Sequence, residues 1–199
     1  MNIPILILAA GQSTRMRGVD KLLQDIDGMP LLRRVATMAC TVSDAVFVAL
    51  PAKPHPRWAV LEGLNVTRVA VADAAEGMNA SLRAGVAAIA KDSDAVMVLL
   101  ADLPDLTESD ITNILQAVEI KSNIKIWRGA TKDGKPGHPV VFHHSLFPEI
   151  HALTGDSGAQ SVVRAHADHV KLVPLPRQNA RLDLDTPEDW NRWRKTRTP

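Results

Sequence analysis

Apolar runs of strand length alternate along this chain with stretches whose apolar positions recur every three or four residues. The runs near Ile3–Ala9, Asp44–Leu50, Val66–Val71, Ala95–Leu100, Ile124–Arg128, Pro139–Phe142 and Val170–Leu175 predict strands. Between them, one helix is predicted from Pro30, as its first residue, to about Ala39. Another is predicted over Glu76–Ala90, where Leu82, Val86 and Ile89 recur at helical spacing. Thr107-Glu108-Ser109-Asp110 and Thr186-Pro187-Glu188-Asp189 read as helix starts, each with a hydroxyl three residues ahead of a carboxylate. Pro51-Ala52-Lys53-Pro54-His55-Pro56 reads as a stiff loop. This alternation predicts an α/β sheet with crossover helices, and no repeat or linker divides it, so residues 1–199 are expected to form a single domain.

The polar positions that carry chemistry gather where strands end. The first apolar run empties into Leu8-Ala9-Ala10-Gly11-Gln12-Ser13-Thr14-Arg15 and then, past Gly18, into Asp20-Lys21. Nothing larger than Ala stands at Ala9 to Gly11, so backbone N–H groups can approach a phosphate there. Arg15 adds a planar fork and Lys21 a compact charge. The stretch is neither a P-loop, which needs G-K-[ST], nor a dinucleotide fingerprint, which needs G-x-G-x-x-G. Leu99-Leu100-Ala101-Asp102-Leu103-Pro104 ends an apolar strand in an acid, at the edge where α/β folds bind ligands. Asp102 can hold Mg²⁺ there, or cap the next helix, a task Thr107 can perform by itself. Asp183-Leu184-Asp185 sets two carboxylates on one side of an extended segment, as a second grip on a metal or, for Asp185, as a charge facing a helix N-terminus. Gly77, Asn79 and Ser81 lie where a loop passes into a helix and can read a base edge or a phosphate, with N-capping as the alternative for Ser81.

Composition narrows the partners. A chain of 199 residues with 46% hydrophobic content can bury a full core. Its 23 basic and 22 acidic residues leave a net charge of +1, which gives no electrostatic footprint for nucleic acid or a membrane surface. The longest apolar run, Ile3 to Ala10, is eight residues, far below the roughly 20 that span a bilayer, and no cationic segment precedes it as in a signal peptide. Cys40 is the one cysteine, so no internal disulfide can form and a reducing cytoplasm is the expected compartment. The six histidines other than His138 show no zinc-ligand spacing.

The Leu-Ala-Ala-Gly-x-Ser-x-Arg-Met run from Leu8 to Met16, followed by Asp20-Lys21, resembles the signature loop of the nucleotidyltransferases that act on sugar phosphates and on the molybdenum cofactor. One departure is Arg17, where that family usually has Gly. The resemblance implies a three-layer α/β/α, Rossmann-like fold of the nucleotide-diphospho-sugar transferase type, with a mostly parallel mixed sheet of about seven strands. It implies catalytic roles for Lys21, Arg15 and Asp102, and Mg²⁺ held by Asp102 with Asp183 or Asp185. Leu8, Ala9, Ala10, Gly11 and Ser13, with Gly77, Asn79 and Ser81, would bind the nucleotide. Ala10, where the guanine-using branch has Gly, and the Ser81–Gly85 turn are similar to cytidine-using members, so CTP is expected and GTP is the alternative. Gly134–Phe142 and Thr154–Gln160 resemble the molybdopterin cytidylyltransferase (MocA-like) branch of MobA-like enzymes, which places His138, Gly155, Asp156 and Gly158 at the acceptor. His138 can equally be a hydrogen-bonded strand-edge residue, and Gln160 replaces an Arg of that branch. The expected reaction transfers CMP from CTP to the terminal phosphate of molybdopterin or the molybdenum cofactor, releasing pyrophosphate, with a molybdoenzyme apoprotein as a downstream partner. The alternatives are another phosphorylated acceptor, such as a sugar 1-phosphate, and a nucleotide-binding chaperone that delivers the cofactor.

Overall fold

The computed structural model describes residues 1–197. Among them nine strands form: β1 (Ile5–Leu8), β2 (Asp25–Ile26), β3 (Met29–Pro30), β4 (Val46–Pro51), β5 (Thr67–Val71), β6 (Ala95–Leu100), β7 (Ile126–Ala130), β8 (Pro136–His143) and β9 (Val170–Pro174). The helices are α1 (Leu31–Val42), α2 (Met78–Ala88), α3 (Glu108–Gln116), α4 (Phe147–His151), α5 (Gln160–Ala165) and α6 (Pro187–Arg197). Seven strands make one mixed sheet in the order β5-β4-β1-β6-β8-β7-β9, while β2 and β3 form a separate small hairpin. Pairing is parallel except where β8 meets β6 and β7.

Side chains alternate across a strand, so each central strand feeds two cores. Ile5, Ile7, Met97, Leu99, Trp127 and Val141 pack on one face with Leu32 and Val35 of α1, Ile111 and Ile114 of α3, and Trp190 and Trp193 of α6. Leu6, Leu8, Val98, Val140 and Phe142 pack on the other with Leu82 and Val86 of α2, Ile150 of α4 and Val162 of α5. The result is the expected three-layer α/β/α arrangement. With β4 on one side of β1 and β6 on the other, the chain leaves the sheet in opposite directions at the ends of these strands, and a crevice opens there.

The expected strands are all present, with shifted bounds. β1 starts two residues late, and β8 extends to Pro136 through pairing with Ala130 of β7 and to His143 through pairing with Ala95 of β6. Pro30 is not the first helical residue; it closes the β2–β3 hairpin in an extended conformation (ψ 139°), and the helix starts at Leu31. The predicted helix over Glu76–Ala90 is broken at Gly77, whose φ of 110° and ψ of −158° a side chain would resist, so α2 begins at Met78. Thr107 and Asp110 exchange capping hydrogen bonds, as do Thr186 and Asp189, so both predicted helix starts form. No helix among the described residues is long and apolar enough to cross a membrane.

Candidate active site

The loop after β1 is shaped by a side chain that no local pattern announces. Arg57, in the 3₁₀ segment Pro56–Leu61 that follows the proline-rich loop, is 1% exposed. All five of its N–H donors are used. Nη1 donates to the carbonyls of Ala9 and Gly11, each at 2.7 Å. Nε and Nη2 grip the Asp20 carboxylate in a fork, both at 2.7 Å, and Nη2 also reaches Ser13 Oγ at 3.1 Å. Asp20 Oδ1 in turn accepts from the Leu22 amide and so starts the 3₁₀ turn Lys21–Leu23. Arg57 therefore ties the small-residue end of the loop to the turn that carries Lys21. Ser13 and Arg17 both take left-handed φ values of 53°, which bends the intervening residues into a tight hook. Arg17 pairs with Glu188 at the start of α6, outside the hook.

Lys21 stands between two carboxylates drawn from distant strand ends. Its Nζ donates to Asp102 Oδ2 at 2.5 Å and to Asp185 Oδ1 at 2.6 Å, and Arg15 pairs with the other oxygen of Asp185 at 2.8 Å. Burial acts to lower the Lys21 pKa, but the charges and hydrogen bonds of Asp102 and Asp185 outweigh it and hold it above the ordinary lysine value. Burial pushes Asp185 upward, yet the hydrogen bond and charge of Lys21, together with Arg15, bring it below the usual carboxylate range. Asp183 has no such cation paired with it among the described residues: burial and the charge of Asp185 raise its pKa. Leu182 and Leu184 face the first core, so Asp183 and Asp185 share the outward side as the alternation predicts, and both line the crevice. Asp102 is freed from capping duty by Thr107, and Asp105 accepts a hydrogen bond from Trp193 Nε1 at 2.8 Å, fastening α6 to this corner.

These groups border a cleft of about 410 Å³ whose floor is Leu8, Ala9, Ala10 and Gly11. Gly77, Met78 and Ser81 close its opposite wall. Asn79 does not line the cleft. It is fully buried, with Nδ2 donating to the Thr154 carbonyl at 2.7 Å, and fastens α2 to the loop after α4 instead. The residues expected at the acceptor divide between two places. Asp156 accepts from the Met78 amide at 2.7 Å, Gly155 N–H donates to Glu76, and Gly158 packs on Met78, so this loop braces the wall formed by Gly77 and Met78. Of this set only Asp156 lines the cleft. His138, on β8, lies apart from them, between the charges of Arg128 and Asp102. Burial and the Arg128 charge lower its pKa to about 4, so its ring is neutral at physiological pH. Ser13 lines the cleft with its hydroxyl engaged by Arg57 and Asp20.

Among the described residues, no group of three or more His, Cys, Asp or Glu side chains is arranged to hold a metal, and Lys21 Nζ stands between Asp102 and Asp185. One oxygen, Asp102 Oδ1, is nevertheless buried without a partner.

The chain is 33% identical over 195 residues to a protein named probable molybdenum cofactor guanylyltransferase from Nostoc sp., covering 94% of this chain and 88% of that one. It is 35% identical over 124 residues to the bifunctional protein GlmU of Maricaulis maris, an alignment that takes in 61% of this chain and spans only 27% of the length of that relative. Rv0371c from Mycobacterium tuberculosis H37Rv superposes with a TM-score of 0.84 at 26% identity, over 98% of each chain. Residues 5–170 match the MobA-like NTP transferase domain, and the chain belongs to that family.

Proposed function

We propose that this protein transfers a nucleoside monophosphate from a nucleoside triphosphate to the terminal phosphate of molybdopterin or the molybdenum cofactor, releasing pyrophosphate. The observation that carries this reading is Lys21 beside Asp102 and Asp185, at the mouth of a cleft floored by Ala9, Ala10 and Gly11. A triphosphate lying on that floor meets small side chains, Arg15 and Lys21, and competes with Asp102 and Asp185 for both cations. The donor set fits Mg²⁺, because it consists of carboxylate oxygens and one of them, Asp102 Oδ1, is buried and unpaired. Asp102 with Asp185 or Asp183 would hold the ion, which when bound neutralises charge on the phosphate oxygens. Lys21, released from the acids, stabilises charge on the α-phosphoryl group, and Arg15 holds the departing pyrophosphate. The acceptor phosphate is already ionised, so the chain needs no general base. Its contribution is positioning and electrostatic stabilisation by groups fixed in advance.

CTP is the proposed nucleotide, supported by buried Ala10 beside the wall made by Gly77, Met78 and Ser81, which leaves less room than Gly would for a purine. The name of the Nostoc relative favours GTP as the second reading. The deciding experiment offers CTP and GTP in competition to the purified protein with Mg²⁺ and molybdopterin, and measures both nucleotide-linked products and pyrophosphate. A higher kcat/KM for CTP supports the first reading, a higher one for GTP the second. No pyrophosphate from either would refute the transferase reading.

A further inference from the structure

The loop that the sequence assigns to the acceptor is fastened residue by residue to the start of α2. The Leu153 carbonyl accepts from Arg83 at 2.6 Å and the Thr154 carbonyl from Asn79 at 2.7 Å. The Gly155 N–H donates to Glu76 at 3.3 Å, and Asp156 Oδ1 accepts from the Met78 amide at 2.7 Å. Glu76 and Arg83 are themselves an ion pair, so the clasp closes on itself. Asp156 thereby satisfies the first N–H of α2 from 78 residues away, at a helix whose own N-cap position, Gly77, has no side chain to offer. It lies so close to Gly77 that a Cβ there would stand 2.1 Å from Oδ1.

Capping uses one carboxylate oxygen and leaves the other. Among the described residues, Asp156 Oδ2 takes part in no hydrogen bond or ion pair, although Asp156 lines the cleft at the wall of Gly77 and Met78. Met78, whose amide it holds, lines the same cleft with a side chain that is 38% exposed. The Met78 sulfur is backed by Gly158, where a Cβ would come within 2.9 Å of it. An apolar, polarisable surface beside a carboxylate fits a flat ring that carries an N–H on its edge. The pair does not fit a phosphate, which the carboxylate would repel, so Asp156 belongs to the nucleoside and not to the acceptor's phosphate.

We infer that Met78 and Asp156 seat the base of the nucleotide, with Met78 against the ring and Asp156 accepting a hydrogen bond from the exocyclic amine. The inference rests on the transferase reading for the ligand's being a nucleotide. The amine is N4 for cytosine, a group that carboxylates accept from, and N2 for guanine. Uracil presents a carbonyl oxygen where cytosine has its amine, and hypoxanthine lacks the amine of guanine, so both are disfavoured. Asp156 therefore selects amine-bearing bases, a choice separate from the selection by ring size at Ala10. The sugar hydroxyls are the other donors of a nucleotide, and the apolar Met78 beside the carboxylate favours the ring over them.

Asp156→Asn separates capping from base reading, because the amide oxygen can still accept from Met78 while the NH2 puts a donor in place of Oδ2. The full chain is titrated by calorimetry in Mg²⁺ with CTP, UTP, GTP and ITP, without acceptor. The parent should bind CTP about 10- to 100-fold more tightly than UTP, or GTP than ITP if the purine is its substrate, the range for one hydrogen bond to a charged group. In Asp156→Asn that ratio should fall toward one, since the new amide repels the base amine and can donate to the uracil oxygen. Met78→Ala should weaken all four nucleotides alike and leave the ratio as it was. Removing the 2′- or 3′-hydroxyl should cost the parent and Asp156→Asn the same factor; a cost that vanishes in Asp156→Asn, with the base ratio intact, would assign the carboxylate to the sugar and overturn the inference. Equal binding of amine-bearing and oxo bases by the parent would overturn it without any variant. So would an unchanged ratio in Asp156→Asn, or a raised KM for molybdopterin as that variant's sole effect, which would return Asp156 to the acceptor. Base discrimination lost through Asp156 in a protein that never releases pyrophosphate would instead refute the transferase reading and leave the base seat standing.

Discussion

Replacing Arg57 with Met keeps a long apolar stem and removes five hydrogen bonds at once. The guanidinium is 2% exposed at its side chain and Asp20 is 18% exposed, so the substitution strands a carboxylate with little water to receive it, along with the Ala9 and Gly11 carbonyls. Breaking a buried ion pair from one side costs about 3–5 kcal/mol. Of this, the unpaired carboxylate carries the larger share, so Arg57→Met with Asp20→Asn should be less destabilised than the sum of the two single changes by about 1–3 kcal/mol. Urea unfolding followed by tryptophan fluorescence measures all three variants, with urea midpoints compared at a common slope. Activity should fall further than stability accounts for, because Asp20 starts the turn that positions Lys21 and the Ala9–Gly11 floor loses its fastening. At a temperature where every variant is fully folded, kcat should still drop about tenfold or more, a misplacement effect. A single substitution costing under about 1 kcal/mol, or additive effects in the cycle, would show that Arg57 does not hold the loop.

Lys21→Ala should lower kcat by roughly 10²–10³, the loss of one preorganised charge, with a smaller change in nucleotide affinity; steady-state kinetics at saturating nucleotide checks this, and near-normal turnover would remove Lys21 from the mechanism. Asp102→Asn should raise the Mg²⁺ concentration that supports half-maximal rate, and Asp183→Asn and Asp185→Asn, titrated separately, identify the second ligand; three unchanged titrations would refute a shared metal site. Asp185→Asn should also loosen Arg15 and Lys21 in the free protein, since it is the acid both cations share, which is readable as faster amide exchange of residues 13–22. For His138, the folded pKa of about 4 lies below the ordinary 6.5, so protonation opposes folding. Stability is unaffected above pH 6.5 and falls as pH drops from 6.5 toward 4, by at most roughly 3 kcal/mol. Thermal melts of His138→Gln should fall less steeply than the parent over that range, and parallel curves would refute the assignment.

The sheet was legible because burial on both faces demands unbroken apolar runs such as Ile5–Leu8 and Ala95–Leu100, and such runs are visible in any one sequence. Strand ends were less so. Nothing local marks the extension of β8 to Pro136, which depends on Ala130 of β7 lying beside it. The acids and cations of the cleft were recognisable from their position after strands, but their pairing was not. Lys21 and Asp185 are 164 residues apart, and only the fold brings them together. Asn79 fell outside the cleft because a helix N-terminus presents side chains both toward the cleft and toward neighbouring segments, and its partner, the Thr154 carbonyl, lies 75 residues on. Arg57 left no signal at all: an Arg after a proline-rich loop reads as surface, and its partner Asp20 lies 37 residues earlier. Asp20 itself stood inside the signature loop, but only the fold shows that its half-buried carboxylate takes its cation from Arg57.

The free cleft holds its charges in a closed circuit. Arg15 and Lys21 answer Asp185, and Lys21 answers Asp102, so the cations expected at the triphosphate already have partners. Among the described residues Asp183 is the acid without an ion pair, and burial and the charge of Asp185 raise its pKa. A triphosphate arriving alone would draw Lys21 and Arg15 away and leave two to three carboxylates facing each other and the phosphates. A divalent cation arriving alone would be opposed by the Lys21 ammonium standing between its ligands. Each therefore lowers the cost of binding the other, which is positive coupling in the thermodynamic sense. The Kd for CTP or GTP should fall on adding Mg²⁺, and by linkage the apparent Mg²⁺ affinity should rise by the same factor on adding nucleotide. Lys21→Ala should weaken that reciprocity from the metal side, because the ion then enters without displacing a charge. Equal coupling in the parent and in Lys21→Ala, after correction for Mg²⁺ bound to nucleotide in solution, would mean that the ammonium does not guard the acids.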